Sequence, residues 1–433
     1  MADALVRHLL RCVRCAAQVP ARSVDYRCGR CGGEVRVEYP SGPERSELTS
    51  GSLRRGLWRH LHRLPVSDPT AVVSLGEGDT PLLPLSRVLT RVTGVRSVAA
   101  KAEHRNPTGS FKDRIASVAV TIAVERGLPG CLGTSSGNGG AALAAYAAAG
   151  GRRALLFVRA DIVPAKLREI RGYGAETTLL DPGRDDGATL REKADELAGL
   201  GARHGFLPFI TAFRYSPEAM EGAATIAYEL AEAAPDTTDV YLPVGGGGLL
   251  AALRRGYLRI RGSLPDGPPR LIGAQPVGCA TLRRALVGDL AGLTEPMATS
   301  VSGLQMPMLF DGYEAAAAVR DSGGHVVEIA DEQAWAAQRL LARQEGLLVE
   351  PAGATAVAGL LADAEAGRLR PDSRVVVLLT GAGYKDGAAL ARLAGDETLT
   401  STEVAGLAAV LAAAAGAGTR TVDGGSLAWP SSG

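Results

Sequence analysis

From about Val72 to about Leu393 the chain alternates short runs of Val, Leu and Ile with Ala-rich helical stretches, joined through Gly-rich turns. The clearest runs are SVAAKAE (97–103), CLGTSS (131–136), RALLFVR (153–159) and ETTLLD (176–181). They continue with DVYLPV (239–244), PRLIGAQPV (269–277), GHVVEIA (324–330) and SRVVVLLTG (373–381). A strand that is apolar without alternation needs cover on both faces, and helices between such strands supply it. The pattern predicts an α/β architecture of parallel sheets with right-handed crossovers. One helix is predicted after Lys112 and another from about Gly139 to Ala149. No internal repeat of fixed period is visible.

At 433 residues the chain is long enough for about three domains. Residues 1–40 hold a cysteine cluster. Residues 41–70 read as a linker with Ser41, Gly42 and Pro43, followed by a helix around Leu53–Leu64. The tail after about Thr400 reads as one Ala-rich helix and then a disordered end. Lys plus Arg number 47 and Asp plus Glu 46, a net charge of +1, and aromatic residues are only 4%. That balance offers neither a phosphate-binding excess nor base-stacking platforms, so a nucleic-acid partner is not expected. The longest apolar stretch, VAGLAAVLAAAAGAG (404–418), is too short and too rich in Ala and Gly to span a membrane. MADALVRHLL leads straight into the cysteines with no cleavage-site pattern, and a cytoplasmic location is expected.

Cys12, Cys15, Cys28 and Cys31 form two C-x2-C pairs separated by twelve residues. Two such knuckles present the four soft thiolates of a tetrahedral structural zinc, closed to substrate, with Gly29, Gly32 and Gly33 easing the second turn. The alternative is two unrelated pairs or a redox C-x2-C. Cys131 and Cys279 stand alone and read as small core residues.

NPTGSFKDR (106–114) sets Lys112 in the first turn of a helix, with Ser110 able to cap it. A helix N-terminus and burial both disfavour an ammonium, and a lowered lysine pKa suits imine chemistry with an aldehyde cofactor. Taken by itself the motif reads first as a surface lysine on a first turn. Three further loops add to it: TSSGNGG (134–140), PVGGGGLL (243–250) and LLTGAGYKD (378–386). The first offers hydroxyls, backbone N–H groups and the Asn138 amide. The second can wrap an anion at a helix start. The third ends a strand with Thr380, whose hydroxyl can meet a neutral ring nitrogen. None is a dinucleotide-binding or P-loop turn.

In these motifs, with SLGEGDTPL (74–82) and EPAGATA (350–356), the chain from Cys12 to about Leu393 resembles the threonine synthase family of fold type II pyridoxal-phosphate (PLP) enzymes. The resemblance implies two open parallel-sheet, three-layer domains plus a small N-terminal zinc ribbon. The large PLP-binding domain would take residues 41–105 and 206–400, and a small substrate-side domain 106–205, with 401–433 as a C-terminal tail. It implies that Lys112 bonds the PLP aldehyde as an imine and then serves as the base for the substrate α-proton. Asn138 would contact the cofactor's 3′ oxygen, Gly245, Gly246, Gly247 and Gly248 its phosphate, and Thr380 its pyridine nitrogen. Ser135, Ser136, Gly137 and Gly139 would surround the substrate carboxylate, with Glu350 nearby. The implied reaction turns O-phosphohomoserine and water into L-threonine and phosphate, in a homodimer acting on a small amino acid.

The sequence departs from the family at one place that matters for substrate. An Arg two residues before a Glu-Gly pair, then Gln-Lys-Thr, usually binds the substrate phosphate; here Ala219 precedes Glu221–Gly222, and Ala223 and Ala224 follow. The expected replacements are Arg214, Arg105 or Lys166. GGGGL resembles the loop of serine/threonine dehydratases, and Ile115 after KDR resembles cysteine synthases. These features keep β-elimination or β-replacement on a serine- or threonine-like amino acid as the rival reaction. A binding module on a degenerate enzyme fold is the non-enzymatic rival, although AAQVPARSVDYR (16–27) carries only two Arg and no Lys.

Overall fold

The computed structural model describes residues 8–39, 55–86, 88–135, 137–160, 162–180, 187–288, 297–395 and 403–416. In chain order its first strands are β1 (Leu9–Cys12), β2 (Gln18–Val19) and β3 (Val35–Glu38), an antiparallel sheet that carries the cysteines. Next come β4 (Leu82–Pro84), α1 (Leu89–Thr93), β5 (Ser97–Lys101), α2 (Lys112–Glu125), β6 (Gly130–Gly133) and α3 (Asn138–Ala149). The chain continues through β7 (Arg153–Arg159), α4 (Pro164–Gly172), β8 (Glu176–Leu180), α5 (Gly187–Arg203), β9 (Leu207–Phe209) and α6 (Pro217–Ala233). Then follow β10 (Asp239–Pro243), α7 (Gly248–Ile260), β11 (Arg270–Pro276), α8 (Thr281–Leu286), α9 (Gly312–Asp321) and β12 (Val326–Ile329). The last elements are α10 (Asp331–Leu340), α11 (Pro351–Glu365), β13 (Arg374–Leu378), α12 (Gly387–Ala394) and α13 (Leu407–Gly416).

Two sheets organise the body. One has the order β12-β11-β10-β13-β5-β4, parallel except for β4, which runs antiparallel to β5. The other has the order β8-β7-β6-β9 and is parallel throughout. The α/β reading and the eight predicted strands hold. β4 and β9, three residues each, were too short to carry a pattern. β8 departs from the expected double burial: it lies at the sheet edge with one neighbouring strand, and Leu179 is exposed.

Ala-rich helices bring backbones close. A Cβ on Gly222 of α6 would stand 2.1 Å from the Arg114 carbonyl oxygen of α2, so those two helices cross in main-chain contact. The helix expected at Leu53–Leu64 is instead a 3-10 segment, Gly56–Arg63, bent at His60. Its start is pinned where Gly56 N–H donates to Asp79 at 2.6 Å and the Gly56 backbone lies against the Glu77 carbonyl. Residues 53 and 54 lie outside the described residues, as do Ser41, Gly42 and Pro43 of the linker. The Ala-rich helix expected in the tail is α13; residues 417–433 lie outside the described residues. Among the described residues no helix is long and apolar enough to cross a membrane.

The cysteine-bearing sheet is anchored to the body by a buried carboxylate. Glu218, in the first turn of α6, receives Tyr26 Oη at 2.6 Å and Arg126 Nη2 at 2.5 Å, and meets His8 Nε2 at 2.6 Å. Burial would raise its carboxyl pKa; Arg126 and His8 hold it below the ordinary range. Cys131 and Cys279 are buried, as expected of core residues.

Candidate active site

Lys112 is the first residue of α2, and Ser110 Oγ takes its backbone N–H at 3.4 Å. Its side chain ends on Thr211, with Nζ donating to Oγ1 at 2.9 Å. Lys112 keeps partial exposure, yet protein packed around the amine lowers its pKa from 10.5 to about 8. Asp311 and Glu350 oppose that shift without cancelling it. The lowered lysine pKa argued from the sequence is thus reproduced, with burial as its leading cause.

The loops named by the sequence meet around this lysine. Phe111 N–H donates to the Thr380 carbonyl at 3.1 Å and Ala382 N–H to the Gly109 carbonyl at 2.9 Å, zipping the lysine loop to the end of β13. Glu350 N–H donates to the Gly381 carbonyl at 3.0 Å, which adds the start of α11. Asn138, at the start of α3, donates its Nδ2 to Glu350 Oε1 at 2.8 Å. Burial raises the Glu350 carboxyl; Lys166 and the Asn138 bond pull it back. Ser135 and Gly139 share the same turn, a Cβ on Gly139 standing 2.9 Å from Ser135 Oγ. Gly137 precedes α3 directly, and Ser136 lies outside the described residues.

Gly245, Gly246 and Gly247 lead from β10 into α7, whose first residue is Gly248. Gly247 has φ +89°, and a Cβ there would come 2.9 Å from Ala315 Cβ. A Cβ on Gly248 would come 2.8 Å from Met220 Cε. The left-handed φ favours glycine at 247, and the turn leaves consecutive backbone N–H groups at the N-terminus of a thirteen-residue helix. Asp311 sits alongside, its carboxylate taking the Phe213 N–H at 2.9 Å and the Arg214 N–H at 3.2 Å. Burial pushes this acid up to about 7.

Sequence reasoning missed Thr211 altogether, although three motifs meet there. Its hydroxyl accepts a hydrogen bond from Lys112 Nζ, its methyl lies 3.6 Å from where a Gly139 Cβ would stand, and its carbonyl 3.1 Å from where a Gly248 Cβ would stand. Thr211 follows β9 in a stretch with no motif, so no signal in the sequence could have singled it out. Asp311 was missed for the same reason.

Of the three cations proposed to replace the family arginine, Arg214 is corrected by the structure. Its guanidinium is ion-paired with Glu34 of the cysteine-bearing sheet and lies 3.6 Å from Asp195, so it is turned to the ribbon. Those two carboxylates hold the guanidinium there by charge. Arg105 is exposed on the 3-10 turn Glu103–Arg105. Lys166, on α4, donates to Ser302 Oγ at 2.7 Å.

The four cysteines come together as their spacing predicted, with every pair of Sγ atoms within 4.8 Å. Cys12 and Cys31 are 3.5 Å apart and Cys15 and Cys28 3.6 Å, near the roughly 3.8 Å edge of a tetrahedron with 2.3 Å metal–sulfur bonds. The ring of soft donors fits a metal ion.

The residues also fit PLP. The buried Asn138 Oδ1 has no hydrogen-bond partner among the described residues, as expected of a group that a bound molecule completes. The glycine turn at α7 is the anion cradle a cofactor phosphate requires. A family model described as "Pyridoxal-phosphate dependent enzyme" matches residues 73–381. In fold the chain is similar to maize serine racemase, with a TM-score of 0.60 at 21% identity over 78% of this chain and 93% of that one. It is similar also to a threonine deaminase from T.th., with a TM-score of 0.57 at 29% identity over 74% and 94%. The chain belongs to the pyridoxal-phosphate dependent enzymes of fold type II. Within them it groups with the threonine synthases. It is 32% identical to the threonine synthase of Methanocaldococcus jannaschii over 87% of this chain and 93% of that protein. It is 36% identical to that of Mycobacterium leprae over 75% and 86%.

Proposed function

We propose that the chain is a PLP-dependent threonine synthase, converting O-phosphohomoserine and water to L-threonine and phosphate. The convergence of Lys112, Asn138 and the Gly245–Gly248 turn supports this, in a chain alike to threonine synthases over nearly their whole length. PLP, when bound, supplies a sink for the electrons left on the substrate's α-carbon. Lys112 holds the cofactor and, once released by the incoming amino acid, takes the α-proton on Nζ. An amine with a pKa of about 8 is partly neutral close to pH 7, which a base requires, and Thr211 Oγ1 fixes its direction.

In the same reading Gly245, Gly246, Gly247 and Gly248 hold the cofactor phosphate through backbone N–H groups, and Asn138 holds its 3′ oxygen. Thr380 meets the ring nitrogen with a hydroxyl that leaves it unprotonated. Ser135, Ser136, Gly137 and Gly139 hold the substrate carboxylate at the start of α3. The large domain takes residues 41–105 and 206–400, the small one 106–205, and the protein works as a cytoplasmic homodimer.

The test is to supply phosphohomoserine, threonine and O-phosphoserine separately, following phosphate and 2-oxo acid release. Phosphate and threonine are expected from phosphohomoserine. Release of a 2-oxo acid from threonine, with phosphohomoserine untouched, would establish β-elimination instead; the Ala at 219 and the outward-turned Arg214 are the features that favour that reading.

The cysteine cluster is proposed to hold one structural zinc, because four thiolates close the tetrahedron and leave no position for substrate. Chelation should release one zinc per chain and unseat His8 and Tyr26 from Glu218. The urea unfolding curve should then move by about 2–5 kcal/mol, since the buried carboxylate loses two of its three partners. An unchanged curve after complete metal loss would refute the structural role.

A further inference from the structure

We propose that Lys166, with Ser302 opposite it, binds the terminal phosphate of the substrate in place of the family arginine; this rests on the phosphohomoserine reading above. A phosphate monoester brings close to two negative charges, and the Gly245–Gly248 turn is committed to the cofactor's own phosphate. The second phosphate needs a cation that no carboxylate has claimed. Arg214 is claimed by Glu34 and Asp195, and Arg105 is exposed. Lys166 differs from both. It is half-buried, its ammonium donates to a neutral hydroxyl, and among the described residues no carboxylate lies within ion-pair distance of it.

Its position also suits the substrate. Ser302 precedes Gly303, whose carbonyl lies 3.3 Å from where a Gly245 Cβ would stand, so the Lys166–Ser302 bridge adjoins the glycine turn. The same ammonium acts on Glu350, which holds Asn138. Lys166 therefore stands at the rim of the pocket between those two landmarks. The helix that carries it spans the gap between the two sheets: Glu169, one turn on, takes the Lys385 ammonium at 2.5 Å, and Lys385 follows β13. A phosphate arriving between Lys166 and Ser302 would replace their mutual hydrogen bond by one to each, both charge-assisted.

Four proteins decide the matter: the unmodified enzyme, Lys166→Ala, Lys166→Arg and Ser302→Ala, all with cofactor. For Lys166→Ala the KM for phosphohomoserine should rise about 10- to 100-fold, with kcat changed far less. The inhibition constant of inorganic phosphate should rise in step, and Lys166→Arg should restore most of both. Ser302→Ala should raise KM by about threefold to tenfold. Homoserine, which lacks the phosphate, should perturb the cofactor's visible spectrum at the same concentration in all four. An unchanged KM and phosphate inhibition in Lys166→Ala would overturn the proposal, and so would an equal loss of homoserine binding, which marks a merely structural residue. If the unmodified enzyme leaves phosphohomoserine intact, the reading of the reaction falls instead. Binding of inorganic phosphate to the unmodified enzyme, weakened in Lys166→Ala and kept in Lys166→Arg, then still judges Lys166.

Discussion

Lys112→Ala is expected to lower kcat/KM by roughly 10²- to 10⁴-fold, the range over which a positioned proton-transfer group acts. The effect is large because the amine has two tasks, holding the cofactor and moving the α-proton, and among the described residues no second amine is hydrogen-bonded to Thr211. Cofactor should also become removable by dialysis and resist fixation by borohydride. Lys112→Arg should fail nearly as badly, since a guanidinium stays protonated and cannot act as a base. The fold should survive both changes. Indeed the pH dependence of the cofactor-free protein should report the lysine directly. Its pKa is about 8 in the fold and 10.5 ordinarily, so between those values the unfolded chain binds more protons. Stability contributed by this group should rise across that window, and Lys112→Ala should lose the rise. Urea titrations from pH 7 to 10.5 would show it. A Lys112→Ala protein that still turns over substrate at more than about a tenth of the normal rate would end the proposed mechanism.

Arg114→Met should cost about 3–5 kcal/mol of stability, the largest loss expected from one side chain outside the active site. Arg114 is fully buried two residues after the active lysine, on the far side of α2. It grips Glu103 with Nε at 2.8 Å and Nη2 at 2.7 Å, and Glu229 with Nη1 at 2.6 Å and Nη2 at 2.8 Å. Lys101 adds a second cation to Glu229 at 2.5 Å, and Thr80 donates to Glu103 at 2.6 Å. Burial alone would raise both carboxyls, but Arg114 holds each below its ordinary range. Removing the guanidinium leaves Glu103 with neutral donors only, Thr80 and Asn106, and Glu229 with Lys101 and the Asp79 N–H. The sign of the pH dependence follows. In the unmodified protein the network stabilises above the ordinary carboxylate pKa and fades as pH falls below it. In Arg114→Met the stranded acids take up protons at higher pH. The deficit between the two proteins should therefore be widest near neutrality and shrink toward about pH 4.5. Equal unfolding midpoints at about pH 7 would refute the account. Adding Glu103→Gln to Arg114→Met should recover part of the loss, because it removes a charge the core can no longer balance.

The KDR stretch shows how far a sequence can be read. Lys112 declared itself through its bracket of Pro107, Gly109 and Ser110, which marks a turn entering a helix. Arg114 sits in the same motif, yet its partners are Glu103 and Glu229, the second 115 positions away. No spacing rule connects such residues. They meet because α6 packs against α2 at the Gly222 crossing. Thr211 is the same case in the active site, and β4 and β9 are its equivalent in the sheets, too short for periodicity to register.

What the linear order of residues decided was everything that depends on near neighbours. Continuous apolar runs between helical stretches demanded parallel sheets, and the two close cysteine pairs came together as one cluster. The glycine turns demanded bare backbone at helix starts. The tertiary structure decided which distant groups compete for the same charge. Arg214 and Lys166 were equivalent candidates as letters in a sequence. Glu34, 180 positions from Arg214, drew that arginine toward the ribbon, while Lys166 reached a neutral serine 136 positions away beside the glycine turn. Coulombic partners are fixed by distance in space, and only the crossovers of the fold set those distances.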